Sequence, residues 1–367
     1  MKPRNRLQAI FCSLLIFALS LAAFPVLAEG NTGNPVITSG EYRYTINTDG
    51  TVSIYAYDGS ASELTIPSLL DGYLVTGILK GAFSARDDLT SVVIPNSVTF
   101  IDTAVFNNSL RLSTIEVSEN NPNFAAIDDV LFSKVTNTLI SYPCGKSTAS
   151  YEIPRGTTAI DEYAVSACAH LTSVTIPDSV TSIGAGAFTG CRELCMIDVS
   201  ENNPAYDSID GVLFDKRTNA LQAYPCGKSS ISYEIPLGTT SIGNSAFLQS
   251  NLTSINIPDS VIDIGQSAFF SCDRLSSVTI PHSVASIGFS AFTFCKGLAS
   301  VTIPDGVISI GDYAFSQCDN LDSITIPASV VSIGENAFSR LDDDITMNVT
   351  SGSYGEEYAV ENGYPHK

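Results

Sequence analysis

The sequence predicts a repeat solenoid: a right-handed, β-rich stack of coils of about 23 residues with short helical turns, a β-hairpin cap before it and a helical cap after it. Two observations carry that prediction. Pro258, Pro281, Pro304 and Pro327 are each 23 residues apart, as are Pro154 and Pro177. A pattern of the form PxSVxSIGxxAFxxCxxLxSVTI fills the interval in coil after coil. A coil of that length cannot bury its apolar side alone, so each must stack on its neighbours.

Residues 1–28 read as an export signal, not as part of the fold. Lys2, Arg4 and Arg6 precede an apolar run from Leu7 to Phe24, and Val26 and Ala28 sit where cleavage before Glu29 requires them. A lipoprotein signal would place a cysteine directly after the cut, whereas Cys12 lies inside the run. The alternative is an uncleaved anchor, since the run approaches the ~20 residues that span a bilayer. No later segment is long or apolar enough to cross, so the mature chain is expected to have no transmembrane segment. Loss of the three basic residues takes the formal charge from −20 to −23. Phosphate recognition needs clustered Lys and Arg, so the balance speaks against a nucleic-acid partner. With 44% hydrophobic residues the chain can still bury a large core.

Residues 29–73 form the expected amino-terminal cap. There YRYTINTDGTVSIYAYDGSASELTIP alternates around Asp49-Gly50, a hairpin signature followed by a third strand. Such a cap closes the open edge of the first coil. The coils then run over 74–341. In one of them Leu171, Val174 and Ile176 have the LxxLxL spacing of a leucine-rich-repeat strand, with Val174 and Ile176 inward and Ser173 and Thr175 outward. Pro177 ends the strand because it cannot donate the next ladder bond. Gly184 is expected to supply a left-handed turn residue, with Asp102 and Asp161 as tolerated replacements. The Ala-Phe pair is placed on a short helical turn, and Phe188, Phe247, Phe269, Phe292, Phe315 and Phe338 form a stacked spine.

Of nine cysteines, eight follow the signal. An exported chain invites a disulfide framework. However, Cys168, Cys191, Cys272, Cys295 and Cys318 share one repeat position, which reads as an inward column of small, buried thiols. Cys144 and Cys226 belong instead to a second motif, YPCGK, and Cys195 stands apart. That motif closes two longer units, about 112–154 and 194–236, whose ENNP…YPCGK stretches are offset by 82 residues. Each contains an expected hairpin, and the pair points to a duplicated larger unit. Residues 342–367 supply the far cap, where Ser353 and Glu356 mark the start of a helix in SYGEEYAVEN.

On these residues, LTSVTIPDSVTSIGAGAFTGC with the ENNP…YPCGK insert and the GSYGEEYAVENG end, the chain resembles the BspA-type leucine-rich repeat, also seen in a treponemal surface protein. The resemblance implies a secreted or surface-exposed binding protein, since studied members are linked to attachment to host matrix proteins and other microbes. No LPxTG sorting motif and none of the extra carboxy-terminal domains of larger members are seen here.

The residues themselves offer three candidate sites. The outward strand positions form two columns, mostly of small polar groups: Ser91, Thr114, Ser173, Met196, Ser254, Ser277, Ser300 and Ser323, beside Val93, Glu116, Thr175, Asp198, Asn256, Thr279, Thr302 and Thr325. Such a sheet can hydrogen-bond an extended polar ligand, although Ser and Thr are also ordinary solvent-facing strand residues. The inserts add Tyr142, Lys146, Tyr224 and Lys228 as expected ligand contacts, being irregular and aromatic. The post-proline column holds Asp178, Asp259, His282 and Asp305, the one arrangement reminiscent of catalysis or metal binding; turn chemistry, which favours Asp after proline, is the stronger explanation. Phosphate loops, zinc motifs and nucleophile elbows are absent from the sequence.

The expected function is therefore a non-enzymatic, adhesin-like binding protein, secreted or at the cell surface, with an extracellular protein or glycan ligand and no cofactor, metal or catalytic residue. A polysaccharide-acting enzyme on a β-solenoid and a purely structural envelope component are the alternatives.

Overall fold

Each coil begins with a short strand in which Ile or Val alternates with Ser or Thr, and that period of two sends the apolar side chain in and the hydroxyl out. A computed structural model describes residues 35–341 and 345–367. The coil is built into two compact units, one running to Ser147 and including Ile160–Ala169, the other made of Thr148–Ala159 and His170–Lys367. The expected export signal lies outside the described residues.

In the first unit the strands Ile37–Ser39, Tyr42–Ile46 and Val52–Tyr57 form an antiparallel meander. Its turn is closed by Gly50 N–H donating to Asn47 O at 3.0 Å. Val52–Tyr57 then pairs in parallel with Tyr73–Ile78, so the hairpin covers the edge of the first coil as expected. The rings of Tyr57, Phe83 and Phe106 follow one another at 5.7 and 5.6 Å.

The second unit shows the coil at its most regular. The strands Ser254–Asn256, Ser277–Thr279, Ser300–Thr302, Ser323–Ile326 and Thr346–Val349 pair in parallel, with Ser254, Ser277, Ser300, Ser323 and Thr346 in register. A second wall stacks Asp263–Ile264, Ser286–Ile287, Ser309–Ile310 and Ser332–Ile333. The third wall differs from expectation. The Ala-Phe turns are not helical, and among the described residues the only α-helix is Tyr354–Asn362. Each turn instead carries two left-handed residues, such as Ser267 with Ser271, or Tyr313 with Gln317. That alternation aims every second N–H at the next coil: Phe247 donates to Ala268 O at 2.8 Å, Phe269 to Ala291 O at 2.7 Å and Phe292 to Ala314 O at 2.8 Å. A helix would satisfy those donors within itself and leave the coils unjoined. The ladder lapses before the insert, where Gly186, Phe188 and Gly190 N–H find no acceptor among the described residues. A shallow open cleft lined by Phe188 and Ala223 lies there.

The glycine column also serves another purpose than expected. Gly184 is not left-handed, nor are Asp102 and Asp161; the left-handed residue comes two positions later, at Gly186 with φ 65°. What the column requires is close approach. A Cβ on Gly288 would lie 2.6 Å from the carbonyl carbon of Gly265, and one on Gly311 2.6 Å from Phe289 N.

The phenylalanine spine is as expected from Phe247 to Phe338, whereas Phe188, expected in the same column, makes no ring contact among the described residues. Phe247, Phe269, Phe292, Phe315 and Phe338 stack at 5.0, 4.9, 5.2 and 5.6 Å with ring planes within 7°. Burial of each ring stabilises by roughly 1.5–3 kcal/mol. The eight described cysteines are free thiols, and only Cys195 is exposed. Their position is not simply apolar. Cys272, Cys295 and Cys318 donate to the preceding coil's Phe carbonyl, at 3.0 Å to Phe247, 3.1 Å to Phe269 and 3.2 Å to Phe292. Ser109 in the first unit makes the same bond to Phe83 O at 2.8 Å, so the site calls for a small donor.

At the far end Ser353 caps the helix, accepting from Glu356 N–H at 3.3 Å, while the Glu356 carboxylate accepts from Gly352 N–H at 2.6 Å. The tail then returns along the last strand, with Met347 N–H donating to Pro365 O at 2.8 Å.

Candidate binding face

The hydroxyl columns meet on one rigid surface. In the second unit a six-stranded parallel panel runs from Ser232–Glu234 to Thr346–Val349. Ile255, Val278, Val301, Ile324 and Met347 anchor it from within. Ser254, Asn256, Ser277, Thr279, Ser300, Thr302, Ser323 and Thr325 are all exposed. Coils of a parallel stack rise about 4.8 Å apart, and alternate residues along a strand lie about 6.6 Å apart, so these groups form a two-dimensional grid. None of those side chains makes a hydrogen bond within the described residues, which leaves their donors and acceptors available.

Ser173 and Thr175 occupy a separate three-stranded panel of the same unit, Ser150–Glu152, Ser173–Ile176 and Met196–Val199. The second insert ends that panel. Its strands Tyr206–Ile209, Val212–Asp215 and Ala220–Ala223 are antiparallel, one strand more than expected. The Asp210-Gly211 turn, left-handed at both residues, abuts the panel, and Ile197 N–H donates to Gly211 O at 3.0 Å. Ser208 Oγ donates to Ile197 O at 2.6 Å on the same edge.

The insert residues correct an expectation. Tyr142 and Tyr224 are 3% and 5% exposed, so their rings cannot face a ligand. Tyr224 lies 5.1 Å from Phe247 with planes 28° apart, standing in the spine where a phenylalanine would be. Its position 23 residues before Phe247 carried that signal, which the following proline disguised. Lys146 pairs with Asp129 at 2.6 Å, and Lys228 Nζ donates to Asp210 O at 2.6 Å, so both fasten hairpin turns. Cys226 Sγ donates to Cys191 O at 2.9 Å and Gly227 N–H to Leu194 O at 2.8 Å. YPCGK is thus a joint in the core.

The profile of the BspA type leucine-rich repeat region matches residues 52–143, 141–224 and 219–344, six copies in all. This chain belongs to the BspA-type leucine-rich repeat family. It is similar to a leucine-rich cell surface protein from Faecalibacterium prausnitzii, at 30% identity over 89% of this chain and 97% of that one, with a TM-score of 0.55. The pneumococcal vaccine antigen PcpA shares the fold at 19% identity and TM-score 0.52, over 91% of this chain and 98% of that one. Among curated proteins none matches.

In this BspA-type chain the post-proline column does not assemble a reactive site. Asp259, His282 and Asp305 are exposed, and no ion pair joins them among the described residues. No group of three or more His, Cys, Asp or Glu among those residues could hold a metal ion. The residues that sequence reasoning missed are structural. Asn203 of ENNP is buried and makes four bonds, Nδ2 to Pro177 O at 2.7 Å and Val180 O at 2.9 Å, Oδ1 from Ala205 and Tyr206 N–H at 2.8 Å each. Asn121 repeats the arrangement with Pro95, Val98, Asn123 and Phe124. The doubled Asn-Asn-Pro was its signal.

Proposed function

We propose that this repeat protein is exported and works as a non-enzymatic, adhesin-like binding protein, taking an extracellular protein or glycan on the hydroxyl face of the panel from Ser232–Glu234 to Thr346–Val349. The observation that carries the reading is the panel itself: a fixed grid of exposed hydroxyls with no internal partners. The cell-surface relative supports the location, and no helix among the described residues is long and apolar enough to cross a membrane. Repeat folds carry no chemistry of their own, so binding is the activity such a surface offers. Pull-down against matrix proteins and a glycan array, run with wild type and with Ser277→Lys/Thr302→Lys, tests it. Retention that the double variant abolishes is expected. An envelope component without a ligand would be retained by nothing, and a hydrolase would shorten a glycan on the array.

A further inference from the structure

We propose that the second wall of the second unit is the interface of a two-fold dimer, in which a second copy of this chain lies antiparallel on the exposed column Ile262, Ala285, Ile308 and Val331. The pairing is independent of the binding role above, which uses a different wall of the coil.

The four side chains occupy one repeat position in consecutive coils, each N–H reaching the carbonyl of the one before: Ala285 to Ile262 O at 3.0 Å, Ile308 to Ala285 O at 2.9 Å and Val331 to Ile308 O at 2.9 Å. Earlier coils of the same unit place threonine there, and its hydroxyl has an internal use. Thr181 Oγ1 donates to Thr158 O at 3.5 Å, and Thr240 Oγ1 donates to Thr218 O. From Ile262 onward that bond is given up for apolar side chains that the core does not take in. Ile262, Ile308 and Val331 are each more than half exposed, and Ala285 is exposed between them. At about 4.8 Å per coil they form a continuous apolar ridge about 14 Å long, an arrangement that marks an interaction surface.

The order of the residues says what covers the ridge. A two-fold axis lying along the strands reverses the coils and sets each column against itself. Centred between Ala285 and Ile308, it places Ala285 of each copy opposite Ile308 of the other, and Ile262 opposite Val331, so the small residue receives a large one. The post-proline column beside the ridge is exposed and obeys the same axis. His282 then faces Asp305 of the second copy, twice by symmetry, an imidazole donor against a carboxylate acceptor, and Asp259 faces Ala328. Sliding the copies by one coil loses both matches. In one direction Asp259 would meet Asp305 and His282 would meet itself; in the other Asp305 would meet itself. Repulsion between like groups therefore fixes the register that the apolar fit prefers. A contact four coils long lies at the small end of specific interfaces, and each copy carries a formal charge of −20, so association in the micromolar range is expected.

The test is sedimentation equilibrium of the full chain from about 1 to 200 µM, with a thermal melt of every variant. A reversible monomer–dimer equilibrium is expected. Ile308→Lys should weaken it at least 10-fold, on the order of a charge buried in an apolar contact, with an unchanged melt because the side chain is exposed. Ala285→Ile and Ile308→Ala should each weaken it by about 3- to 10-fold, and the double variant Ala285→Ile/Ile308→Ala should return to within about 2-fold of wild type, since it only exchanges the two partners. His282→Asp should weaken the dimer and His282→Asp/Asp305→His should recover it in the same way. A chain that is monomeric at every concentration would overturn the proposal, as would a dimer indifferent to Ile308→Lys. Loss in the single variants without recovery in either exchange would refute the antiparallel register. A monomer that floats with phosphatidylcholine vesicles, and ceases to in Ile308→Lys, would give the ridge to a lipid surface instead.

Discussion

Replacing Asn203 by alanine should destabilise the second unit by about 3–4 kcal/mol. The side chain is 1% exposed, and its amide spans the start of the insert and the turn after Pro177. Alanine would strand the carbonyls of Pro177 and Val180 and the N–H groups of Ala205 and Tyr206 in the interior. At about 1 kcal/mol for each of four bonds the sum is about 4 kcal/mol, reduced where water enters the vacated space. Asn203→Asp separates the two halves of the effect. It keeps the acceptors but sets a carboxylate against two carbonyls, so burial and repulsion would raise its folded-state pKa. A raised carboxyl pKa costs stability as pH climbs from the unfolded value of about 3.9 towards the folded one, and acidification restores it. The measurement is urea denaturation followed by far-ultraviolet circular dichroism, with hydrogen exchange over residues 199–228 to localise the loss. An alanine variant that unfolds at the wild-type midpoint, with unchanged exchange in the insert, would refute the reasoning.

Other outcomes follow from the same packing. Phe292→Ala should cost ~3–5 kcal/mol by opening the stacked spine, and an unchanged melting curve would deny the inward assignment. Tyr224→Phe should leave stability unchanged or raise it by about 1 kcal/mol, because the buried Tyr224 hydroxyl has no hydrogen-bond partner among the described residues; a large loss would mean it has one. Iodoacetamide at pH 8 should modify only Cys195 in the folded chain. Burial pushes the Cys318 thiol up to about 12, so it stays protonated as well as enclosed, and mass spectrometry showing early labelling there would contradict the thiol column. In hydrogen exchange the Phe188 amide should exchange well before those of Phe269 and Phe292, which are held by the next coil.

What the sequence disclosed were the features that repeat locally. The period placed the Phe and Cys columns and the outward hydroxyls, because a side chain's direction on a strand depends only on its neighbours along the chain. The turn geometry was hidden. Left-handed residues are usually read from glycine, but here Phe294 and Tyr313 hold such positions, stabilised by bonds to the following coil. The need for glycine at Gly288 and Gly311 arises from the backbone of the preceding coil, which no local pattern records. The insert tyrosines misled for a related reason: an irregular segment looked like a surface element until Tyr224 was found in register with Phe247. The hydroxyl face was visible in the alternation, yet its lack of internal partners became evident only from the coordinates.

The bonds between coils have a direction. In the spine region of the second unit each Phe N–H reaches forward to the coil that follows it in the chain, while each thiol reaches back to a carbonyl already in place. In a polypeptide emerging amino end first, each thiol is therefore satisfied as its coil forms, while the Phe N–H stays open as a template that the next coil completes. For a chain leaving a narrow pore, every added coil would act as a pawl, blocking backsliding and turning the free energy of stacking into outward movement.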